Sequence, residues 1–557
     1  MPPPFLGNFN LDQLELASRP CRPRILIVTD GTLGYNANAA FGLTRFIEGI
    51  TLGAGVTVKP ILTLAHRGFT NVTNVPIGPD VYTVKTNFDF ATATPAVTIA
   101  NYDQIWLFGI ESAGDLPVPQ VTIVAEFMNS GGGVFATGDH ATLGRQMSGR
   151  LPRIRHMREW AAMPMGLEAV PAALARIDTV VDPNTNGIYD FLDDQGDNIP
   201  QRIYPHYKVT GPGFGTWQAT VHPLLMRPGA PATRSNSSGF TLDVDCLPDH
   251  QHESVCKAVE DAATLGGSYT VVSPAFEEFR PAVTGGGRTG AEIVASAVSG
   301  GRSVSNGGWK PPVTPRMFGI VSAYDGRLAQ PYAGKTERPG RAVCDSTWHH
   351  LVNLNLDGTG STRTGLGTGS GAAFAPSPAL LKIHDYYRNI VSWLQPANRI
   401  RCRLFWDLIA VRFDPVMIEE LVPPPPFDRW PPLVQLGQEA IRRSESGDGL
   451  RDMIAGALLD PKGRSLGDSL QESAFGTAGI DETELIAGIV GGLLLKLAEL
   501  YPTENLEKAQ KGLRDGPKQL DTLLRTEPQR LVKLALDHQL ARADQVKRLS
   551  ETLKAVL

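Results

Sequence analysis

The stretch RILIVTDG, residues 24–31, decides the reading of the fold. A short apolar, β-branched run closed by Asp-Gly has the length of a buried strand and not of a helix. Working outward, NANAAFGLTRFIEGI (36–50) has helical apolar spacing, and VTVKPILTL (56–64) reads as a second strand. YDQIWLFGI (102–110) reads as a third strand, and VTIVAEFMNSGGG (121–133) as a helix closed by glycines. GVFATGDH (133–140) is a fourth strand that runs straight into a turn. Strands alternating with helices predict an α/β fold with a doubly wound, mostly parallel sheet. RMFGIVSAYDG (316–326) and GRAVCDSTWHH (340–350) return to strand character, and ALLKIHDYYRNIVSWL (379–394) has helical periodicity.

At 557 residues the chain exceeds one ordinary core. Residues 1–422 are expected to form the α/β domain. A loop-rich insertion, heavy in Gly, Pro and Asp, is expected at about 165–315. The Gly/Ser/Thr-rich segment 357–376 is expected to be mobile. Prolines at 423–426 and 431–432 predict a stiff linker over 423–432. Beyond it, 433–557 has no Trp and only Phe475 and Tyr501 as large aromatics, and its apolar residues recur every three or four positions. An all-α domain is expected there. DETELIAGIVGGLLLKLAELY (481–501) is apolar over more than one stripe. Such a helix must be buried, either in its own bundle or against another chain. Self-association or partner binding through 433–557 is therefore expected.

The composition, 42% hydrophobic and 20% charged with net charge −5, fits a soluble globular protein and gives no argument for nucleic acid or an anionic membrane. The longest apolar run, IAGIVGGLLL (486–495), is too short to span a bilayer. The N-terminus lacks a basic segment followed by an apolar one, so no signal peptide is expected. Five scattered cysteines without CxxC predict free thiols in a reducing, cytoplasmic setting.

The histidines cluster. GDH ends a predicted strand at Asp139 and His140; LPDHQHESVC (247–256) holds Asp249, His250, His252 and Glu253; DSTWHH holds Asp345, His349 and His350; YPHY adds His206. Imidazole with carboxylate is the donor set of Zn²⁺, Fe²⁺ or Mn²⁺ sites and also of acid–base catalysis. Asp139, His140, Glu253 and His349 are the candidate catalytic groups. Asp249, His250, His252 and His350 are the candidate metal ligands. Asp139, His140, His250, His252, Glu253, His349 and His350 are expected to converge on one pocket. From a strand, adjacent histidines cannot face one point, so one is expected to serve the site while the other packs. The remaining histidines read as ordinary hydrogen-bonding residues. DPNTNGIYDFLD (182–193) places Asp182, Asn184, Asn186, Asp190 and Asp193 at EF-hand-like positions for Ca²⁺. The same residues suit a plain Asx-turn loop. The basic run RLPRIRHMREW (150–160) reads as a solvated helix face or a partner for this acidic insertion.

RILIVTDG, YDQIWLFGI, the glycine-closed helix and GVFATGDHATLG together resemble the class I glutamine amidotransferase-like fold, in particular its ThuA-like, trehalose-utilisation branch. The resemblance covers about residues 22–160 and 315–395 and implies a flavodoxin-like sheet. It also implies a residue delivered on a sharp turn after a strand. In an active amidotransferase that residue is cysteine, whereas the turn here reads Thr137-Gly138-Asp139-His140. Thiolate glutaminase chemistry is therefore not expected, and Cys344 reads as an inert thiol. Two readings stand: a metal- or His-dependent hydrolase of a small polar substrate, or a non-catalytic ligand-sensing scaffold that assembles through its helical region.

Overall fold

The computed structural model describes residues 21–52, 59–68, 73–110, 114–139, 143–158, 200–210, 218–227, 233–234, 243–248, 255–283, 286–301, 304–305, 308–309, 313–361, 364–412, 417, 421, 429–443, 482–501 and 516–556. The chain divides into two compact units. One comprises Pro23–Arg227 and Thr233–Pro396; the other comprises Met1–Arg22, Pro228–Ala232 and Ala397–Leu557.

The first unit is a mixed α/β structure built on a ten-stranded sheet. Its strands are β1 (Arg24–Thr29), β2 (Ile61–His66), β3 (Asn74–Ile77), β4 (Asp80–Lys85), β5 (Gln104–Phe108), β6 (Gly133–Thr137), β7 (Tyr204–Pro205), β8 (Ala291–Gly301), β9 (Val313–Tyr324) and β10 (Ala342–Asp345). They lie in the order β3-β4-β2-β1-β5-β6-β10-β9-β8-β7. Every pairing from β4 to β10 is parallel, and both flanks are antiparallel. The central strands carry continuous apolar runs because both faces are covered. On one face α1 (Thr44–Thr51) and α3 (Pro378–Trp393) cover the sheet, with Phe46 against Trp106, Phe108 and Tyr387. On the other, α2 (Val118–Asn129) packs Val121, Val124 and Met128 into the cluster that holds Leu26, Leu107 and Ala136.

Several expectations change. The helix expected over 36–50 begins only at Thr44. Asn353 holds the preceding turn: its amide donates to the carbonyls of Asn36 and Ala39, and its oxygen accepts from Thr44 Oγ1 and Arg45 N–H. The Gly-rich segment is tied down in its described part, where Arg45 donates to the Gly371 carbonyl and stacks on Phe374. The basic run is no solvated face. Arg153 and Arg158 are fully buried, and Arg155 and His156 pair with buried Glu278.

The described elements of the second unit are helices: α4 (Ala397–Arg412), α5 (Trp430–Arg443), α6 (Glu482–Leu500) and α7 (Gly516–Val556). The units divide after Pro396, ahead of the expected linker. Pro431 and Pro432 sit in the first turn of α5, where a missing N–H costs nothing; residues 423–426 lie outside the described residues. The apolar girth of α6 is taken up within its own unit, in one core with α4, α5 and α7, so α6 does not require a second chain. Its approach to α5 is backbone to backbone. A Cβ on Gly437 would lie 1.7 Å from the Ala487 carbonyl oxygen, and one on Gly491 would lie 2.0 Å from that of Leu433. Cys21 and Cys402 form a disulfide in this unit, which corrects the expectation of five free thiols; Cys246, Cys256 and Cys344 are free. Among the described residues no helix is long and apolar enough to cross a membrane.

Candidate functional site

In a sheet of this kind ligands bind outside the carboxyl ends of the parallel strands, where the connections switch direction. Here the switch lies at β1, from which the chain passes first to β2 on one side and later to β5 on the other. Asp30 follows β1, and its Oδ1 accepts the Ile110 N–H beyond β5 at 2.7 Å. His66 ends β2; its Nδ1 accepts from Gly68 N–H at 2.9 Å and its Nε2 meets the Gly31 carbonyl at 3.2 Å. Both nitrogens hold loop backbone, the ordinary role expected of this residue.

The chemistry concentrates at the ends of β6 and β10. After β6 the chain turns through Gly138 and Asp139, and Asp139 N–H donates to the Leu143 carbonyl at 3.0 Å. Gly144 closes this turn at φ +85°, where a Cβ would fall 2.6 Å from Gly138 Cα. After β10, Trp348–His350 forms one 3₁₀ turn capped by Thr347, whose Oγ1 accepts from His349 N–H at 3.0 Å. The histidines therefore do not alternate as on a strand.

Each histidine of the pair meets its own carboxylate. His349 Nε2 lies 3.1 Å from Asp139 Oδ2, and its Nδ1 lies 3.3 Å from Asn355 Oδ1. The ring stacks on Trp348 at 3.9 Å. His350 Nδ1 lies 2.6 Å from Asp345 Oδ1. The other oxygen of Asp345 accepts from Tyr386 O–H at 2.9 Å, and Tyr387 O–H donates to the His350 carbonyl. Burial pushes the Tyr386 phenol well above its usual range, reinforced by the Asp345 carboxylate, so it stays a donor. Thr347 links the two pairs: its Oγ1 donates to Asp139 Oδ2 at 3.1 Å, and its N–H meets Asp345 Oδ1 at 3.3 Å. Buried Arg158 fixes the backbone below, donating to the Asp345 and Ser346 carbonyls at 2.8 and 2.5 Å. Asp139, Asp345 and His350 are 0% exposed and His349 is 1%.

Of the expected site, Asp139, His349 and His350 come together. His140, Asp249, His250, His252 and Glu253 lie outside the described residues, as do Asp182, Asn184, Asn186, Asp190 and Asp193. Among the described residues no group of three or more His, Cys, Asp or Glu side chains is placed to hold a metal ion. Tyr386, Asn355, Thr347 and Arg158 carry no local signal of a site; they reach it only through the fold. Cys344 lies on β10, fully buried, and burial pushes its thiol well above the usual range. Cys256, whose thiol donates to the Ile320 and Cys344 carbonyls at 3.4 Å, is pushed by burial to about 12.

A second polar constellation lies apart from these strand ends. A cleft of about 320 Å³ is lined by His206, Lys208, His222, Glu260 and Glu292, among others. Tyr207 pairs with Val221, which sets His206 opposite His222 across two antiparallel strands. His222 Nδ1 accepts from Leu224 N–H at 3.2 Å, which leaves Nε2 as the N–H of the neutral ring. That nitrogen faces Glu292 at 3.9 Å as a donor, an unsuitable state for a metal ligand. Lys208 pairs with the same carboxylate at 2.8 Å, and His206 Nε2 meets Ser296 Oγ at 2.8 Å. Comparison of the chain with protein-family models, curated proteins and solved structures finds no match.

Proposed function

We propose that the chain is a hydrolase of a small polar substrate, with His350 as the base that activates water. The observation that carries this reading is the Asp345–His350 pair at the carboxyl end of β10, 2.6 Å apart. A carboxylate at Nδ1 requires the proton on Nδ1, which leaves the lone pair on Nε2. That is the arrangement of an oriented general base. Nε2 takes a proton from water, the resulting hydroxide adds to the electrophilic carbon, and the proton passes to the leaving group. The same nitrogen suits a divalent metal, with Asp345 as the carboxylate that fixes the ring. Asp139, after the neighbouring strand β6, and His349 form the supporting pair. The likeness to the class I glutamine amidotransferase-like fold belongs to this reading. The strand order β2-β1-β5-β6-β10, with the β3–β4 hairpin added at the edge, supports it. The raised Cys344 thiol favours water over a thiolate as nucleophile.

The test is a panel of small amides, esters, glycosides and phosphate esters, run with the wild type, Asp345→Asn and His350→Gln. Turnover by the wild type that falls at least about a hundredfold in both variants supports the base. Turnover that survives His350→Gln removes it. The second reading, a non-catalytic scaffold, is favoured by the burial of Asp139, Asp345, His349 and His350 at 0–1% exposure. It predicts no turnover on any of the panel and loss of stability in both variants.

A further inference from the structure

Buried polar side chains in folded proteins almost always find partners, so those that do not call for an explanation. Among the described residues, Thr137 Oγ1, Ser346 Oγ and Trp348 Nε1 are buried without a hydrogen-bond partner. Thr137 and Ser346 are 0% exposed and Trp348 is 3%. All three belong to the ends of β6 and β10. The register that sets Cys344 beside Ala136 brings Thr137 level with Asp345. Trp348 N–H donates to the Gly138 carbonyl at 3.0 Å, so Trp348 stands next to the residue that follows Thr137. Ser346 lies between Asp345 and Thr347, its carbonyl held by Arg158.

An indole N–H can only donate, and each hydroxyl has a proton to give. A ligand that meets all three at once must therefore offer an acceptor. A full anion is a poor one here, because the buried carboxylates of Asp139 and Asp345 flank the same turns. A neutral carbonyl oxygen meets no such opposition, and it gains charge only when water adds to it. We propose that Thr137, Trp348 and Ser346 hold the carbonyl oxygen of a neutral amide or ester substrate. This rests on the reading of these strand ends as a hydrolytic site and names its substrate class. The carbonyl, once held, presents its carbon to the water activated at His350.

The experiment is saturation-transfer NMR on the full chain with acetamide as probe and acetate as the charged comparison. Acetamide should bind the wild type in the millimolar range and bind better than acetate. Thr137→Val and Trp348→Phe, which remove one donor each at little change of shape, should each weaken acetamide about tenfold. Thermal melts check the fold of both variants. Thr137→Val removes an unmatched hydroxyl, so it should melt no lower than the wild type. Acetamide binding that is unchanged in both variants, no acetamide binding at all, or acetate bound more tightly than acetamide overturns the proposal. Should one variant fail to fold, Ser346→Ala removes the third donor for the same comparison. His350→Gln keeps the two ideas apart. Acetamide bound equally by His350→Gln, with hydrolysis unaffected by that variant, leaves the donors in place and removes the base.

Discussion

Glu278 offers the sharpest test of the energetics. It is 1% exposed and accepts from Arg153 N–H at 2.5 Å, from Arg155 Nη2 at 2.6 Å and from His156 Nε2 at 3.2 Å. Arg153 sits at φ +68°, so this carboxylate also holds a backbone turn that a side-chain-bearing residue rarely adopts. Burial alone would raise the Glu278 acid. The hydrogen bonds and charges of His156 and Arg155 overcome burial and hold it at about 2, below the ordinary 4.5. A carboxylate depressed on folding stabilises the native state fully above its unfolded value, and that stability is lost as pH falls through the folded value. The difference amounts to about 3 kcal/mol at pH 7, and roughly 2 kcal/mol of it is gone by pH 3.

Glu278→Gln keeps the shape and removes the charge. Urea melts of wild type and variant should differ by about 3 kcal/mol at pH 7, consistent with breaking a buried pair from one side. The decisive measurement is how that gap changes with pH. It should shrink by about 2 kcal/mol between pH 7 and pH 3, because protonation then does to the wild type what the substitution does at any pH. A gap that stays constant across this range would refute the reasoning. Glu278 would then be neutral in the fold, and its arginine partners would be held by other groups.

Two further outcomes follow from the second unit. Gly437→Val should lower its unfolding free energy in urea by about 2 kcal/mol or more, since the new Cβ would collide with the Ala487 carbonyl and the helices must part; Gly286→Ala, at a site with open space around it but φ +69°, should cost less in the first unit. Alkylation in denaturant without reductant should label Cys246, Cys256 and Cys344 only, and reduction should expose Cys21 and Cys402; five reactive thiols at the outset would remove the disulfide.

The strands β1, β5 and β6 and the helices α2 and α3 were legible because each has its own apolar pattern and local boundary signal. RILIVTDG ends in Asp-Gly, and α3 opens at Ser377, whose hydroxyl accepts from Leu380 N–H. What was not legible depends on distant residues. Asn353 holds the 36–43 segment in a turn despite its helical spacing. Glu278 draws in Arg153 and Arg155, more than a hundred residues away. The disulfide joins cysteines 381 positions apart. Pro431 and Pro432 read as linker because proline marks both a stiff extended chain and a helix start, and only Trp430, buried in the helical core, separates the two. At the candidate site, residue types were readable and pairings were not. The histidines announced themselves by clustering, but the carboxylate His349 meets is set by the packing of β10 beside β6, and the one His350 meets by the 3₁₀ turn that folds it back on Asp345.

That pairing separates two neighbouring histidines that look alike in sequence. For His349 the carboxylate of Asp139 is at Nε2, and Asn355 occupies Nδ1. The nitrogen a base would use, Nε2, faces a carboxylate, so its substitution should be felt in stability. For His350 the carboxylate of Asp345 is at Nδ1, which puts the lone pair on Nε2. Its substitution should be felt in turnover. His349→Gln leaves Asp139 buried without its imidazole and should cost about 3 kcal/mol in a urea melt. On whichever substrate of the panel the wild type hydrolyses, it should leave activity within about tenfold once the protein is folded. His350→Gln should lower the same activity at least about a hundredfold, as expected when a general base is removed. The reverse pattern, with His349→Gln inactive and His350→Gln merely unstable, would move the base to His349 and assign Asp139 as its orienting carboxylate.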